Sequence, residues 1–555
     1  MADRGVPVAL NIRNIAILVV FSWLLYFWHL ADIPFYERGE PREGLVVAEM
    51  YATGDLILPL VNGEYIPFKP PLFHWFGVAA ASLFGRIDEF TLRLPSALFG
   101  LLGVLLTYYT GARLCSERAG FISAVVLLSN VQWWLGATMV QVDMTLAFYL
   151  VAALIAFFFL YGAPEVSQWK AYGLAVLLAC ATLAKGPLGF VVPALVILAF
   201  LGVRRDFAFI NKLYPWRSGA VFLLLAGFWY GMALWQGGTA FFIRQIIDEN
   251  LRTATGEGGH PQPLYYFVPV FFANLSPWSL FVLPLALFWW RDGVRARNEI
   301  FYLMIWILVA FVVFSISSGK RAIYILSLYP AAALLWGAWW SKLEKDSLKA
   351  DGLTIVIGYS IASLYLLVVA GYLATLFGWE ASRYLPKGQN FSFMLRAIFQ
   401  PSQLLRGGFL VCSIAVLILF WALWRRRFEY VFAAFATLAV FPVVVVKSAF
   451  YPTVAREQTF KPFMDQVTRL VDSASPLMFY RAFDPGVILY SHRHIHSYQD
   501  RARSVQLPYY LLMWEEDWAR LNRTDGLTVL AVSDGTGPAR LHRMVLVRAN
   551  EKIAP

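Results

Sequence analysis

The chain of 555 residues is 59% apolar and only 15% charged, where an average soluble domain carries about 25% charged residues. That balance excludes a soluble globular protein and implies an integral membrane protein with room for many spans and a separate domain. The net charge of +11 is no nucleic-acid footprint, because most Lys and Arg fall in short loops between apolar runs, where they fix topology.

Span 1 covers Val8 to Leu30, with Arg4 and Arg13 setting the N-terminus in the cytoplasm. It lacks a small-residue cleavage site and reads as a span rather than a signal peptide. Residues 31–93 follow as a first extracytoplasmic loop in which Glu37, Glu40, Glu43, Glu49, Asp55 and Glu64 alternate with Arg38, Arg42 and Lys69. Two short apolar helices there suit a segment lying along the membrane surface, and the loop reads as the front wall of an active site. Phe73 to Phe84 is apolar but falls short of the ~20 residues that a crossing helix needs, so it is predicted to be interfacial.

Twelve further spans are then expected: Leu94–Leu114, Gly120–Leu135, Met144–Tyr161, Tyr172–Ala184, Pro187–Val203, Gly219–Trp235, Leu264–Trp290, Ile300–Ile316, Ala322–Trp340, Leu353–Phe377, Gly408–Trp424 and Tyr430–Val446. Every inner loop in this arrangement carries Lys or Arg, and counting Phe73–Phe84 as a span would invert them all. About thirteen transmembrane helices make up a domain over residues 1–447. Residues 448–555 change character, with apolar runs of strand length (Leu477–Tyr480, Val487–Tyr490, Leu527–Val532, Met544–Val547) and a helical-looking Tyr509–Leu521. They are predicted to form a small soluble α/β domain in the outer compartment. The three cysteines, Cys115, Cys180 and Cys412, lie in or beside spans with neither zinc nor disulfide spacing.

Cations on the outer side run against the orientation bias, and phosphate is the simplest reason for them. Glu40 and Arg42 open a helix whose first turn holds Pro41, and Asp55 follows its end at Gly54; Glu43 and Glu64 read as ordinary solvated charges. Lys69 is held on a stiff corner by Pro70 and Pro71, although a snorkelling lysine would look the same. Asp143 in QVDMTLAFY is either a helix N-terminal charge or an acid at the mouth of the bundle. Lys185 and Lys320 occupy tight outer turns, Tyr324 stands one turn beyond Lys320, and Arg252 lies in the long outer loop. His260, in that loop, is the one metal candidate, although a lone His before Pro is more often a loop hydrogen-bonder; no cofactor is certain and a divalent metal is left open. There is no GxxxxGK[ST], no GxGxxG after a strand and no HExxH, so nucleotide machinery is absent and a lipid-phosphate-linked donor is indicated.

The stretches GEPREGLVVAEMYATGDLILPLVNGEYIPFKPPL, RLPSAL, QVDMTLAF, LAKGPLGFVVP, ENLRTATGEGGHPQPLYY and SSGKRAIYILSLYP resemble, in this order, the membrane glycosyltransferases of the GT-C fold, which include protein O-mannosyltransferases. They are most similar to the bacterial 4-amino-4-deoxy-L-arabinose transferases that modify lipid A. The resemblance covers about residues 10 to 450. It implies an inverting pentosyltransferase of the bacterial inner membrane with a periplasmic active site, an undecaprenyl-phosphate-linked aminosugar donor and a lipid A phosphate acceptor. It also implies that modification lowers lipid A charge and confers resistance to cationic peptides such as polymyxin. Where the family has an acidic pair before the helix, Gly39 precedes Glu40 here, which leaves the catalytic carboxylate open among Glu40, Asp55 and Asp143. Arg42, Lys69, Lys185, Arg252, Lys320 and Tyr324 are the expected phosphate and substrate binders. Another polyprenyl-phosphate-sugar transferase with a protein or glycan acceptor is the alternative. A flippase without chemistry fits less well, since transporters place polar groups at the bilayer midplane and these charges sit at outer span ends.

Overall fold

The computed structural model describes residues 10–252, 261–293, 297–345, 352–376, 403–501, 505–521, 525–537 and 542–551. Nine helices lead the chain: α1 (Ile12–Ser22), α2 (Gly39–Thr53), α3 (Leu72–Phe84), α4 (Glu89–Leu114), α5 (Glu117–Leu128), α6 (Val131–Thr138), α7 (Val142–Tyr161), α8 (Gln168–Lys185) and α9 (Leu188–Arg204). Among the described residues eight helices are long and apolar enough to cross a membrane, or ten if each of two bent pairs counts as one span. The bent pairs are α5 with α6, turned by 66°, and Phe267–Asn274 with Trp278–Arg291, turned by 107°. Helices at Ile12–Phe27, α8 and α9 correspond to three more of the predicted spans but are not among the ten. The count of thirteen therefore exceeds what length and composition establish. α3 is a helix of 13 residues, too short to cross, as its apolar length implies.

Local signals place the ends. Asp88 and Thr91 form a reciprocal capping box at the start of α4, satisfying amide donors that the first turn leaves open. Gly54 closes α2 and Gly85 closes α3, each donating its N–H back into the last turn. The bundle centre is aromatic: Trp339 packs edge to face on Trp336 and Trp340, and Phe281 edge to face on Trp336 and Trp340. Lipid tails are as apolar as such side chains, so helix association rests on this close packing and on buried polar contacts.

Two regions differ from the sequence reading. The helix through Gly219–Trp235 does not give way to a loop at Gln236; it runs within Pro215–Glu249, broken at Gly238. Gly238 has φ 53° and ψ −141°, a conformation a Cβ would oppose, and the kink redirects the following turns over the first loop. In the C-terminal part, Val487–Tyr490 is helical, within Pro485–Ser491, because Asp484 accepts from the Gly486 and Val487 amides and Pro485 opens the first turn. Conversely Tyr509–Trp514 is a strand, with only Glu515–Ala519 helical after it. Its apolar run is buried between two neighbours, a case where periodicity cannot tell helix from strand.

That part forms a five-stranded sheet of β1 (Leu477–Tyr480), β2 (His496–Ser497), β3 (Tyr509–Trp514), β4 (Leu527–Val532) and β5 (Met544–Ala549). The order is β2-β1-β3-β5-β4, parallel across β2, β1 and β3 and antiparallel across β3, β5 and β4. The last apolar helix does not stop at Val446 but continues from Phe428 to Gln458, delivering the sheet onto the first loop.

Candidate active site

α2 is anchored before it can present anything. Glu40, 1% exposed, receives both Nε and Nη2 of Arg93 at 2.8 and 2.9 Å and the Val140 amide at 3.0 Å. The remaining Arg93 donors go to the carbonyls of Leu30 and Ile33. A buried ion pair persists only when its leftover donors and acceptors are satisfied in this way. The C-terminal part adds a second set of ties: Lys461 Nζ and Tyr490 Oη, on the helices Lys461–Leu470 and Pro485–Ser491 that flank the sheet, reach Glu89 at 2.7 and 2.9 Å. Asn62 exchanges two hydrogen bonds with the Ile495 backbone, and His494 and His496 meet Glu49 and Glu64.

Beside this frame, seven chain segments bring one charged cluster together. From α2, Arg42 donates Nε and Nη2 to Glu43 Oε1 at 3.1 and 2.8 Å. Glu43 Oε2 lies 3.0 Å from Nε2 of His74 on α3. From the corner before Pro70, Lys69 pairs with Glu249, while Gln245 donates to the carbonyls of Pro67 and Lys69 and holds that corner. From α8, Lys185 pairs with Asp143 at the first turn of α7, and its ammonium sits 4.2 Å over the Tyr324 ring. Gly186, with φ 88°, makes the abrupt turn that leaves Lys185 as the last residue of α8. Phe68 is covered by the guanidiniums of Arg244, at 3.5 Å, and Arg42, at 5.6 Å.

Electrostatics tie the cluster. Burial and then the Lys185 charge push the Lys69 ammonium down to about 7, against the pull of Glu43 and Asp143 and of its partner Glu249. Burial works against the Glu43 carboxylate, yet Arg42, the His74 hydrogen bond and Lys69 hold it well below the usual carboxylate range. Glu43 in turn raises Arg42, an effect to which Asp143 and Tyr324 add. Cations held near one another with shared carboxylates make a site ready to exchange a carboxylate partner for phosphate oxygens.

The structure thus gathers Arg42, Lys69, Asp143, Lys185 and Tyr324, and separates out three other sequence candidates. Glu40 is a buried brace, its Oε1 taken by Arg93 and the Val140 amide and its Oε2 by Arg93. Asp55 spends Oδ1 on the Ile57 and Leu58 amides at 2.9 and 3.1 Å, an Asx turn that shapes the loop. Lys320 donates to the Gln262 carbonyl at 3.0 Å and clamps the 317–321 turn to the chain at Pro261, which bridges Gly319. The Arg252 side chain and His260 lie outside the described residues. Among the described residues no three His, Cys, Asp or Glu side chains gather as a metal centre, and Glu43, Asp143 and Glu249 are each engaged by a cation.

Sequence reasoning passed over Glu43, His74 and Gln245. His74 carried a usable signal, as the one ionisable side chain inside the apolar α3; it is fully buried, and a buried imidazole demands a partner.

The fold is the GT-C fold seen in membrane glycosyltransferases. A family model described as dolichyl-phosphate-mannose-protein mannosyltransferase matches residues 68–230. The architecture is that of the transferase ArnT. The chain superposes on the crystal structure of ArnT from Cupriavidus metallidurans bound to undecaprenyl phosphate with a TM-score of 0.78, at 20% identity, covering 98% of this chain and 99% of that one. The undecaprenyl phosphate-alpha-4-amino-4-deoxy-L-arabinose arabinosyl transferase of Yersinia enterocolitica is 26% identical over 372 residues, which is 65% of this chain and 66% of that protein. Its Shewanella sediminis counterpart is 28% identical over 367 residues, 64% of this chain and 65% of that protein.

Proposed function

We propose that the protein transfers 4-amino-4-deoxy-L-arabinose from undecaprenyl phosphate to a phosphate of lipid A, at the periplasmic face of the bacterial inner membrane. The observation that carries this reading is the convergence of Arg42, Lys69 and Lys185 with Asp143 and Tyr324. The names of the relatives supply the sugar, and the acceptor follows from the chemistry the cluster suits. A phosphate acceptor is already anionic near neutral pH, its second pKa being near 6, so no strong general base is needed. An acceptor oxygen attacks C1 of the sugar, the bond from C1 to the donor phosphate oxygen breaks, and undecaprenyl phosphate leaves with the electron pair. A single displacement inverts C1, and no proton has to move. Lys69 and Lys185 stabilise the departing phosphate and Arg42 holds the acceptor, while Asp143 and Glu43 face the sugar ammonium.

Mass spectrometry of lipid A from cells with and without the gene tests it. The expected result is an aminopentose-sized mass shift that disappears in Lys69→Ala and Asp143→Asn. Unchanged lipid A together with a lost protein glycan would favour the second reading, a protein acceptor, which the mannosyltransferase family match supports.

A further inference from the structure

The end of the bundle away from the charged cluster holds a second feature. α4 and α7 start beside the cluster and finish at Leu114 and Tyr161, and α8 runs the other way, from Gln168 up to Lys185. Between these far ends, Asn298–Ile316 and the end of Tyr329–Lys345 lies a cavity of about 1170 Å³. Small-molecule pockets run to roughly 300–1,000 Å³, so this space exceeds what a small polar metabolite needs. Arg113, Lys170, Arg297, Lys342 and Lys345 line it, and among the described residues Glu299 is the one carboxylate in the lining. Arg297 and Lys342 share a single acid, Asp292, each at 2.9 Å, and Lys342 also lies 4.7 Å over Trp289. Lys170 and Lys345 are exposed. One to two turns inside the helix ends the lining becomes apolar, with Phe158, Phe159, Leu174 and Leu177.

A cationic rim over an apolar wall matches one shape of ligand, a phosphate headgroup continuing into hydrocarbon. Basic pockets between membrane helices recognise anionic lipids in this way, and among the described residues the five positive side chains of the lining face Glu299 and, at its edge, Asp292, which leaves a net positive rim. We propose that this cavity binds the phosphate headgroup of an anionic phospholipid, with the first part of its acyl chains against the α7–α8 wall. The site is separate from the transfer reaction and does not depend on it.

The test uses the full-length protein, purified in detergent, equilibrated with equal amounts of phosphatidylglycerol and phosphatidylcholine and read by native mass spectrometry. Wild type is expected to retain phosphatidylglycerol selectively. Lys170→Gln/Lys345→Gln should lose about thirtyfold of that preference, taking each lysine near the surface at about fivefold, and Lys170→Glu/Lys345→Glu should lose all of it. Arg425→Glu, which reverses an exposed charge outside the cavity, should keep the wild-type ratio. If a charge-reversed protein fails to assemble, the neutral pair decides. Equal retention of the two lipids, or an unchanged ratio in the neutral pair, overturns the proposal. Displacement of phosphatidylglycerol by inorganic phosphate at similar concentration overturns it in favour of a soluble phosphate ligand.

Discussion

α2 carries two ion-pair systems one helical turn apart, and they do opposite things. The Glu40–Arg93 pair is sealed, at 1% and 3% side-chain exposure, and both Glu40 oxygens and all three side-chain nitrogens of Arg93 are hydrogen-bonded to protein. The Arg42–Glu43–Lys69–Lys185–Asp143 system is equally paired but open, with the Arg42 side chain 43% exposed and three cations close enough to perturb one another. Counting salt bridges would not tell the two apart. What separates them is whether a charge has somewhere else to go when a ligand arrives.

The sealed pair sets the largest expected effect. Arg93→Met leaves Glu40 charged and buried alone and should cost about 3–5 kcal/mol, seen as loss of assembled protein in size-exclusion profiles. Glu40→Met/Arg93→Met should recover most of it, since an apolar replacement of a whole buried pair is often neutral. A double variant as defective as the single would mean that the pair does more than hold α2. The open cluster should respond in the other currency. Lys69→Ala or Lys185→Ala should cost less stability than Arg93→Met, the carboxylates they leave behind, Glu249 and Asp143, being 21% and 13% exposed, and should lose about 10²–10³ in transfer rate, the scale for removing one electrostatic stabiliser of a departing anion.

That division was only partly legible in the sequence. Residue type and expected sidedness singled out Arg42, Lys69, Asp143, Lys185 and Tyr324, which the structure brings together, because a cation in an expected outer turn defies the orientation bias whatever it touches. Glu40 and Asp55 looked equally suitable, and only geometry shows Glu40 buried on Arg93 and Asp55 holding local amides through Oδ1. Glu43 was set aside because a carboxylate at a helix start is ordinary; its partner His74 is 31 positions away, and no local pattern joins them. The same limit separated the helix at Pro485–Ser491 from strand β3. Short apolar runs carry no period long enough to decide, whereas spans of twenty residues announce themselves by length alone.

pH sharpens the comparison further. With Lys69 at about 7 in the free protein, its ammonium is in place below that pH and undecaprenyl phosphate binding there takes up no proton at this residue. Above pH 7 binding must take one up, so affinity should fall about tenfold per pH unit, on top of the ligand's own charge step near pH 6. Lys69→Arg should flatten the alkaline limb, because a guanidinium stays charged throughout. An alkaline limb unchanged in Lys69→Arg would assign it to another group. The smallest effect belongs to the tie from the C-terminal part. Lys461 is 39% exposed in its contact with Glu89, so Lys461→Ala should change stability by no more than about 1 kcal/mol and leave transfer within twofold of wild type, by thermal unfolding and by rate.

The most direct measurement is the binding of undecaprenyl phosphate to equal amounts of folded wild type, Lys69→Ala, Lys185→Ala and Lys461→Ala. Affinity should drop more than tenfold in the first two variants and hold in the third, placing the lipid phosphate on the open cluster. Wild-type affinity in both Lys69→Ala and Lys185→Ala would contradict the account, since the cations said to receive the phosphate would then not touch it.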